Sequence, residues 1–106
     1  MYVIAFFASG IVGSGNKAPI ADAGPNQTPT DPTTVTLDGS ASSDPDGESL
    51  TFSWTQTSGD LVTLDDNTAE KPTFPTLNAG DTYVFQLTVS DPKGKFDTDT
   101  VTITVS

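Results

Sequence analysis

Tyr83-Val84-Phe85-Gln86-Leu87-Thr88-Val89 and Thr100-Val101-Thr102-Ile103-Thr104-Val105 decide the fold. In the first stretch every second residue is large and apolar; in the second, threonine alternates with a β-branched aliphatic residue. A period of two places Tyr83, Phe85, Leu87 and Val89 on one face of a strand, and Val101, Ile103 and Val105 on one face of another. Working outward, Leu50-Thr51-Phe52-Ser53-Trp54-Thr55 puts Leu50, Phe52 and Trp54 on one side. Thr34-Val35-Thr36-Leu37 alternates and stops at Asp38-Gly39. Leu61-Val62-Thr63-Leu64 is a weaker run that closes at Asp65-Asp66-Asn67. Pro72-Thr73-Phe74-Pro75, with a proline at each end, reads as an edge. Short strands separated by turn signals, with no helical period anywhere, predict an all-β antiparallel sandwich of about seven strands. In such a sandwich Trp54 anchors the core, Phe85 points inward, and Tyr83, just after Gly80-Asp81, suits a tyrosine corner.

The chain has 106 residues, room for one domain and an appendage. Residues 16–106 form the predicted sandwich, and residues 1–15 an apolar extension ending in the Gly13-Ser14-Gly15 hinge. The net charge is −10, from 14 acidic residues against the four lysines Lys17, Lys71, Lys93 and Lys95. No basic patch exists, so nucleic acid is excluded as a partner and an anionic membrane surface is disfavoured. Histidine and cysteine are both absent. Disulfides, thiolate metal sites and any Ser/His/Asp or Cys/His catalytic arrangement are therefore ruled out. The remaining acids sit in turns such as Asp44-Pro45-Asp46-Gly47, where Asp closes its own turn. The chain is not expected to be an enzyme. An acidic, Thr-rich, Lys-poor surface fits an extracellular or cell-surface module.

The extension Met1-Tyr-Val-Ile-Ala-Phe-Phe-Ala-Ser-Gly-Ile-Val-Gly-Ser14 does not match that surface. It lacks the cationic start of a signal peptide, since the first cation is Lys17, and it is too short to be a stable membrane span. Gly10, Gly13 and the β-branched residues make it a poor helix. Read as a strand, it is apolar on both faces, which calls for burial on both. Tyr2, Val3, Ile4, Phe6, Phe7, Ile11 and Val12 together represent on the order of 10–20 kcal/mol of burial. That requirement is met by a groove in another copy, by a membrane, or by removal of the segment as a leader remnant.

Asp38-Gly39-Ser40-Ala41-Ser42-Ser43-Asp44-Pro45-Asp46-Gly47, then Phe52-Ser53-Trp54, then Ala79-Gly80-Asp81-Thr82-Tyr83-Val84-Phe85-Gln86-Leu87-Thr88-Val89-Ser90-Asp91, resemble a PKD domain. These are immunoglobulin-like sandwiches repeated in polycystin-type and many microbial surface proteins. The resemblance runs from about Asn16 to Val105. It departs at Thr55-Gln56-Thr57-Ser58-Gly59, where the family often has Asp-Phe-Gly-Asp-Gly, so this is a divergent branch. Some PKD-like domains bind calcium at one pole, and the resemblance implies Asn16, Ser42, Asp44, Asp46 and Asp91 as its ligands. Oxygen donors of this kind suit Ca²⁺, which takes six to eight; Asp-Pro-Asp-Gly reads equally as plain turn chemistry. Asn26-Gln27-Thr28 is an N-glycosylation sequon on a Pro-rich loop.

Three functions follow. In the first, favoured because it alone uses the extension, the chain is an extracellular structural subunit. Its N-terminal strand docks into a neighbour and forms a head-to-tail homopolymer, filament or lattice. In the second, it is a PKD-like spacer or adhesion module of a larger cell-surface or secreted protein, facing a carbohydrate or protein ligand that no residue identifies. The third, a pilin-like helical filament core, requires a longer and more helix-prone N-terminus.

Overall fold

The computed structural model describes residues 16–30 and 33–106. Among them are five strands: β1 (Thr34–Thr36), β2 (Thr51–Ser58), β3 (Thr73–Pro75), β4 (Thr82–Ser90) and β5 (Phe96–Thr104). β1 pairs with β3 in one sheet, and β2, β4 and β5 lie in that order in the other, all antiparallel. The alternation in the sequence is the alternation of burial. β4 buries Tyr83, Phe85, Leu87 and Val89, β5 buries Val101 and Ile103, and Val105 follows just beyond. Val35, Leu37 and Phe74 complete the core from the β1–β3 side. Phe74 meets Tyr83 edge-on at 5.2 Å between ring centroids and Phe85 at 5.0 Å, a favourable arrangement for aromatic quadrupoles. Trp54 is 2% exposed, and its indole N–H donates to the Ala69 carbonyl at 2.9 Å while its backbone N–H donates to Asn67 at 2.8 Å. The turn at residues 66–70 is thus fastened to the core.

The segment leading into β1 bridges the loop after β1 and strand β5. Ile20 exchanges two backbone hydrogen bonds with Ser43, at 2.7 and 3.0 Å. Farther on, Gln27 runs parallel to β5: its N–H donates to Thr102 at 3.1 Å, and its carbonyl accepts from Thr104 at 2.9 Å. Between these two bridges, Asp97 and Asp99 accept the N–H groups of Ala21 and Ala23, each at 2.8 Å. Aspartate is a poor strand former. Here each carboxylate takes the place of a strand carbonyl, which explains Asp on β5.

The run at residues 61–64 is not a strand, contrary to its alternation. The β2–β4 register shifts between Gln56 and Ser58, and Gly59 turns the chain at φ +97°. The Gln56 side chain then holds the loop, donating to Ser58 and Asp60 and accepting from Val62 at 3.0 Å. Val62 and Leu64 still pack on the core, whereas Leu61 is 85% exposed.

The Tyr83 hydroxyl accepts the Leu77 N–H at 3.0 Å and donates to Asp81 at 2.9 Å. It thereby ties the start of β4 to the chain six residues upstream, the arrangement of a tyrosine corner. Burial raises the Tyr83 pKa above its ordinary 10.0, with Asp81 adding to the effect and the Leu77 N–H opposing it.

Candidate functional site

Where β4 ends, Asp91 closes a tight turn. Its Oδ1 accepts the N–H groups of Lys93 at 2.9 Å and Lys95 at 3.0 Å, and its own N–H donates to the Lys95 carbonyl at 2.9 Å. Asp91 Oδ2 accepts from the Asn16 side-chain amide at 2.7 Å, across 75 residues of sequence. Lys95 Nζ donates to the Asn16 carbonyl. Burial pushes the Asp91 pKa up, but the Asn16 amide and the N–H groups of Lys95, Lys93 and Gly94 outweigh it and hold the carboxyl below its ordinary 3.8.

A second turn faces this one. Asp44 Oδ1 accepts the Asp46 N–H at 2.7 Å, and the Asp44 carbonyl accepts from Gly47 at 2.9 Å. Asp46 Oδ2 accepts the Lys17 N–H at 2.7 Å, so the leading segment is clamped to both turns. Asp44, Asp46 and Glu48 each bring one carboxylate oxygen within 4.8 Å of the other two. Three oxygens at this pole, Asn16 Oδ1, Asp44 Oδ2 and Glu48 Oε1, are shielded from solvent and lack a hydrogen-bond partner. Shielded carboxylate oxygens without a donor are costly, and a hard cation is the species that satisfies several at once. The oxygen-only donor set suits Ca²⁺.

Residues 23–105 match the K319L-like PKD domain family. The chain belongs to this family. It is 40% identical over 92 residues to the mouse dyslexia-associated protein KIAA0319-like protein, covering 85% of this chain and 9% of that one. The solution structure of the PKD domain from the KIAA 1837 protein superposes with a TM-score of 0.72 at 37% identity, covering 89% of this chain and 92% of that one. A nucleoside hydrolase-related hypothetical protein from Saccharophagus degradans, associated with carbohydrate metabolism, superposes with a TM-score of 0.73 at 26% identity. That match covers 86% of this chain but 26% of the other. The fold is therefore that of a PKD domain, and the chain spans about a tenth of its mouse relative.

In this PKD domain the pole gathers four of the residues implied by resemblance: Asn16, Asp44, Asp46 and Asp91. Ser42 is tied to Asp22. Its hydroxyl accepts the Asp22 N–H at 2.9 Å and donates to the Asp22 carbonyl at 3.3 Å, so it fastens the leading segment. Glu48 joins the cluster unforeseen, although its position directly after Asp44-Pro45-Asp46-Gly47 was the available signal. Asn26 is exposed, with its Oδ1 accepting from Thr102 N–H at 2.9 Å. The expected docking strand, Tyr2, Val3, Ile4, Phe6, Phe7, Ile11 and Val12, lies outside the described residues. A cavity of about 640 Å³ beside Trp54 and Phe85 opens under the loop containing Leu61, Val62 and Leu64. It marks where this loop fails to continue the sheet.

Proposed function

We propose that this PKD domain is a non-catalytic module of a larger extracellular or cell-surface protein, a spacer and contact unit with calcium bound at one pole. The observation that carries the reading is the family match over residues 23–105 alongside coverage of 9% of the mouse relative. One PKD unit accounts for nearly all of this chain and little of that protein. The strand geometry supports it. Asn16 is fixed beside Asp91 at the end of β4, whereas the Val105 N–H donates to the Asp81 carbonyl at the start of β4. The two ends of the domain therefore leave from opposite poles. They are separated by the length of β4, about 27 Å at 3.4 Å per residue. Such a unit adds length when set in series. The family match favours this reading over a filament subunit.

At the pole, Asn16 and the Asp44 and Asp46 carboxylates would supply oxygens, and Asp91 holds Asn16 in place. A bound calcium ion would neutralise the clustered carboxylates and cross-link the leading segment to the 44–48 turn. Asn26, exposed on the sequon, is proposed as an N-glycan attachment point if the host has the machinery.

Negative-stain electron microscopy of the full chain beside a version beginning at Asn16 tests the reading. Monomeric particles from both are expected. Filaments from the full chain alone would restore the strand-docking polymer and overturn the module.

A further inference from the structure

We infer that Glu48 is a calcium ligand in this domain and that Lys93 competes with the ion for it; the inference rests on the calcium reading of the pole. Glu48 differs from the other acids of the cluster in how its two oxygens are engaged. Oε2 lies 3.4 Å from Lys93 Nζ, on the turn closed by Asp91. Oε1 is hidden from solvent, has no hydrogen-bond partner, and belongs to the same shielded set as Asp44 Oδ2 and Asn16 Oδ1. A carboxylate with one oxygen paired and the other unsatisfied is half engaged. It spans the gap between the 44–48 turn and the 91–95 turn. Its distance to the Asp44 and Asp46 oxygens, within 4.8 Å, suits three ligands around one ion.

Lys93 is mostly exposed, with 64% of its side chain accessible, and its ammonium is the cation paired with Glu48. An exposed ion pair of this kind contributes little to stability. It does place a positive charge beside a site built for another. When calcium binds, Glu48 Oε1 coordinates it, and the Lys93 ammonium is repelled toward solvent. Calcium affinity then depends on the two residues with opposite sign: removing the Glu48 charge weakens binding, and removing the Lys93 charge strengthens it.

Calorimetric titration of CaCl₂ into the full chain tests this with wild type, Glu48→Gln, Lys93→Met and the distant control Glu70→Gln. Glu48→Gln is expected to weaken binding by about tenfold or more, because ligand charge count sets affinity in such sites. Lys93→Met is expected to tighten it by roughly threefold, and Glu70→Gln to change it less than about twofold. The calcium-induced rise in melting temperature should follow the same order, while the calcium-free melting temperature of Glu48→Gln should not fall below that of wild type, because an unsatisfied like charge leaves the cluster. Equal affinities for wild type and Glu48→Gln, with calcium bound by both, would overturn the Glu48 assignment and leave the calcium reading intact. Weaker binding by Lys93→Met would overturn the competition. No heat and no thermal shift for wild type at about 10 mM CaCl₂ would overturn the calcium reading itself, and the Glu48 role with it.

Discussion

Replacing Tyr83 with Phe removes one oxygen from the centre of the fold and leaves every ring contact in place. The ring stays against Phe74 at 5.2 Å, and Tyr83 is fully buried, so no hydrophobic area is lost. Two hydrogen bonds disappear: the Leu77 N–H loses its acceptor, and Asp81 loses one of two donors while keeping the Asn78 N–H at 3.0 Å. A bond to a charged partner contributes about 1.5–3 kcal/mol, and an orphaned N–H costs about 1–3. Leu77 is itself 47% exposed, so water can reach the freed N–H and the second contribution falls at the low end. The expected loss is about 2.5–4 kcal/mol, which for a domain of this size lowers Tm by roughly 10–30 °C. Trp54 is the only tryptophan and sits in the core, so its fluorescence reports urea unfolding directly. The Asp81→Ala background supplies the cycle, in which Tyr83→Phe should cost about 1 kcal/mol less than in wild type. The sign at high pH is fixed as well. Burial raises the folded Tyr83 pKa above 10.0, so its contribution is complete below pH 10 and is lost as pH rises through the folded value. The Phe variant should lack that alkaline loss. A Tyr83→Phe domain within about 0.5 kcal/mol of wild type would refute the corner as a stabilising device, since surface substitutions away from such features fall in that range.

Gly59→Ala should be among the most damaging single changes. A Cβ there would lie 2.3 Å from the Thr82 carbonyl at φ +97°, and the expected loss is above about 2 kcal/mol by urea denaturation. Gly39→Ala faces a tight but less rigid environment, with Leu87 Cδ2 at 3.1 Å and Trp54 Cζ2 at 3.2 Å, and should cost about 1–3 kcal/mol with a shift in Trp54 emission. Acid should unfold the domain through four carboxyls held below 3.8: Asp38 by Ser40, Asp65 by the Thr73 N–H, Asp66 by Thr68, and Asp91 by Asn16 and its turn N–H groups. Lowered folded values mean their stabilisation is present above pH 3.8 and lost as pH falls through them, which a Trp54-monitored titration from pH 6 to 2 should show.

The fold was legible because its evidence is periodic. Tyr83, Phe85, Leu87 and Val89, then Val101, Ile103 and Val105, point inward in the structure as their spacing requires, and Trp54 joins them. Leu61-Val62-Thr63-Leu64 misled for a physical reason. Alternation reports which side chains can pack, not which backbone groups are paired. Val62 and Leu64 do pack, but Gln56 supplies the hydrogen bonds that a neighbouring strand would have supplied. The reverse holds for Asp97 and Asp99, whose charge argues against a strand until the Ala21 and Ala23 N–H groups are seen to need acceptors.

The proposed calcium pole was half legible, for a different reason. Asp44, Asp46 and Asp91 are visible as turn acids, yet sequence cannot say which oxygens a turn consumes. Asp91 uses both of its oxygens on Asn16 and on the N–H groups of Lys93 and Lys95, so it positions the site more than it occupies it. Ser42 is engaged by Asp22 in the same way. Glu48 closes no turn, and for that reason it escapes a search based on turn motifs and still has an oxygen to offer. In a loop-built site the residues that stand out in sequence are those already committed to shaping the backbone. The ligands with free capacity are their neighbours. This ordering makes Asp91→Asn a test distinct from Glu48→Gln. Asp91→Asn should lower the melting temperature without calcium, because the 91–95 turn and the Asn16 tether lose their acceptor charge. Glu48→Gln should leave that temperature unchanged or raised, since an unsatisfied like charge leaves the cluster, and should reduce the calcium-dependent rise. The same calcium-free loss in both variants would mean the pole is a structural network with no ligand held in reserve.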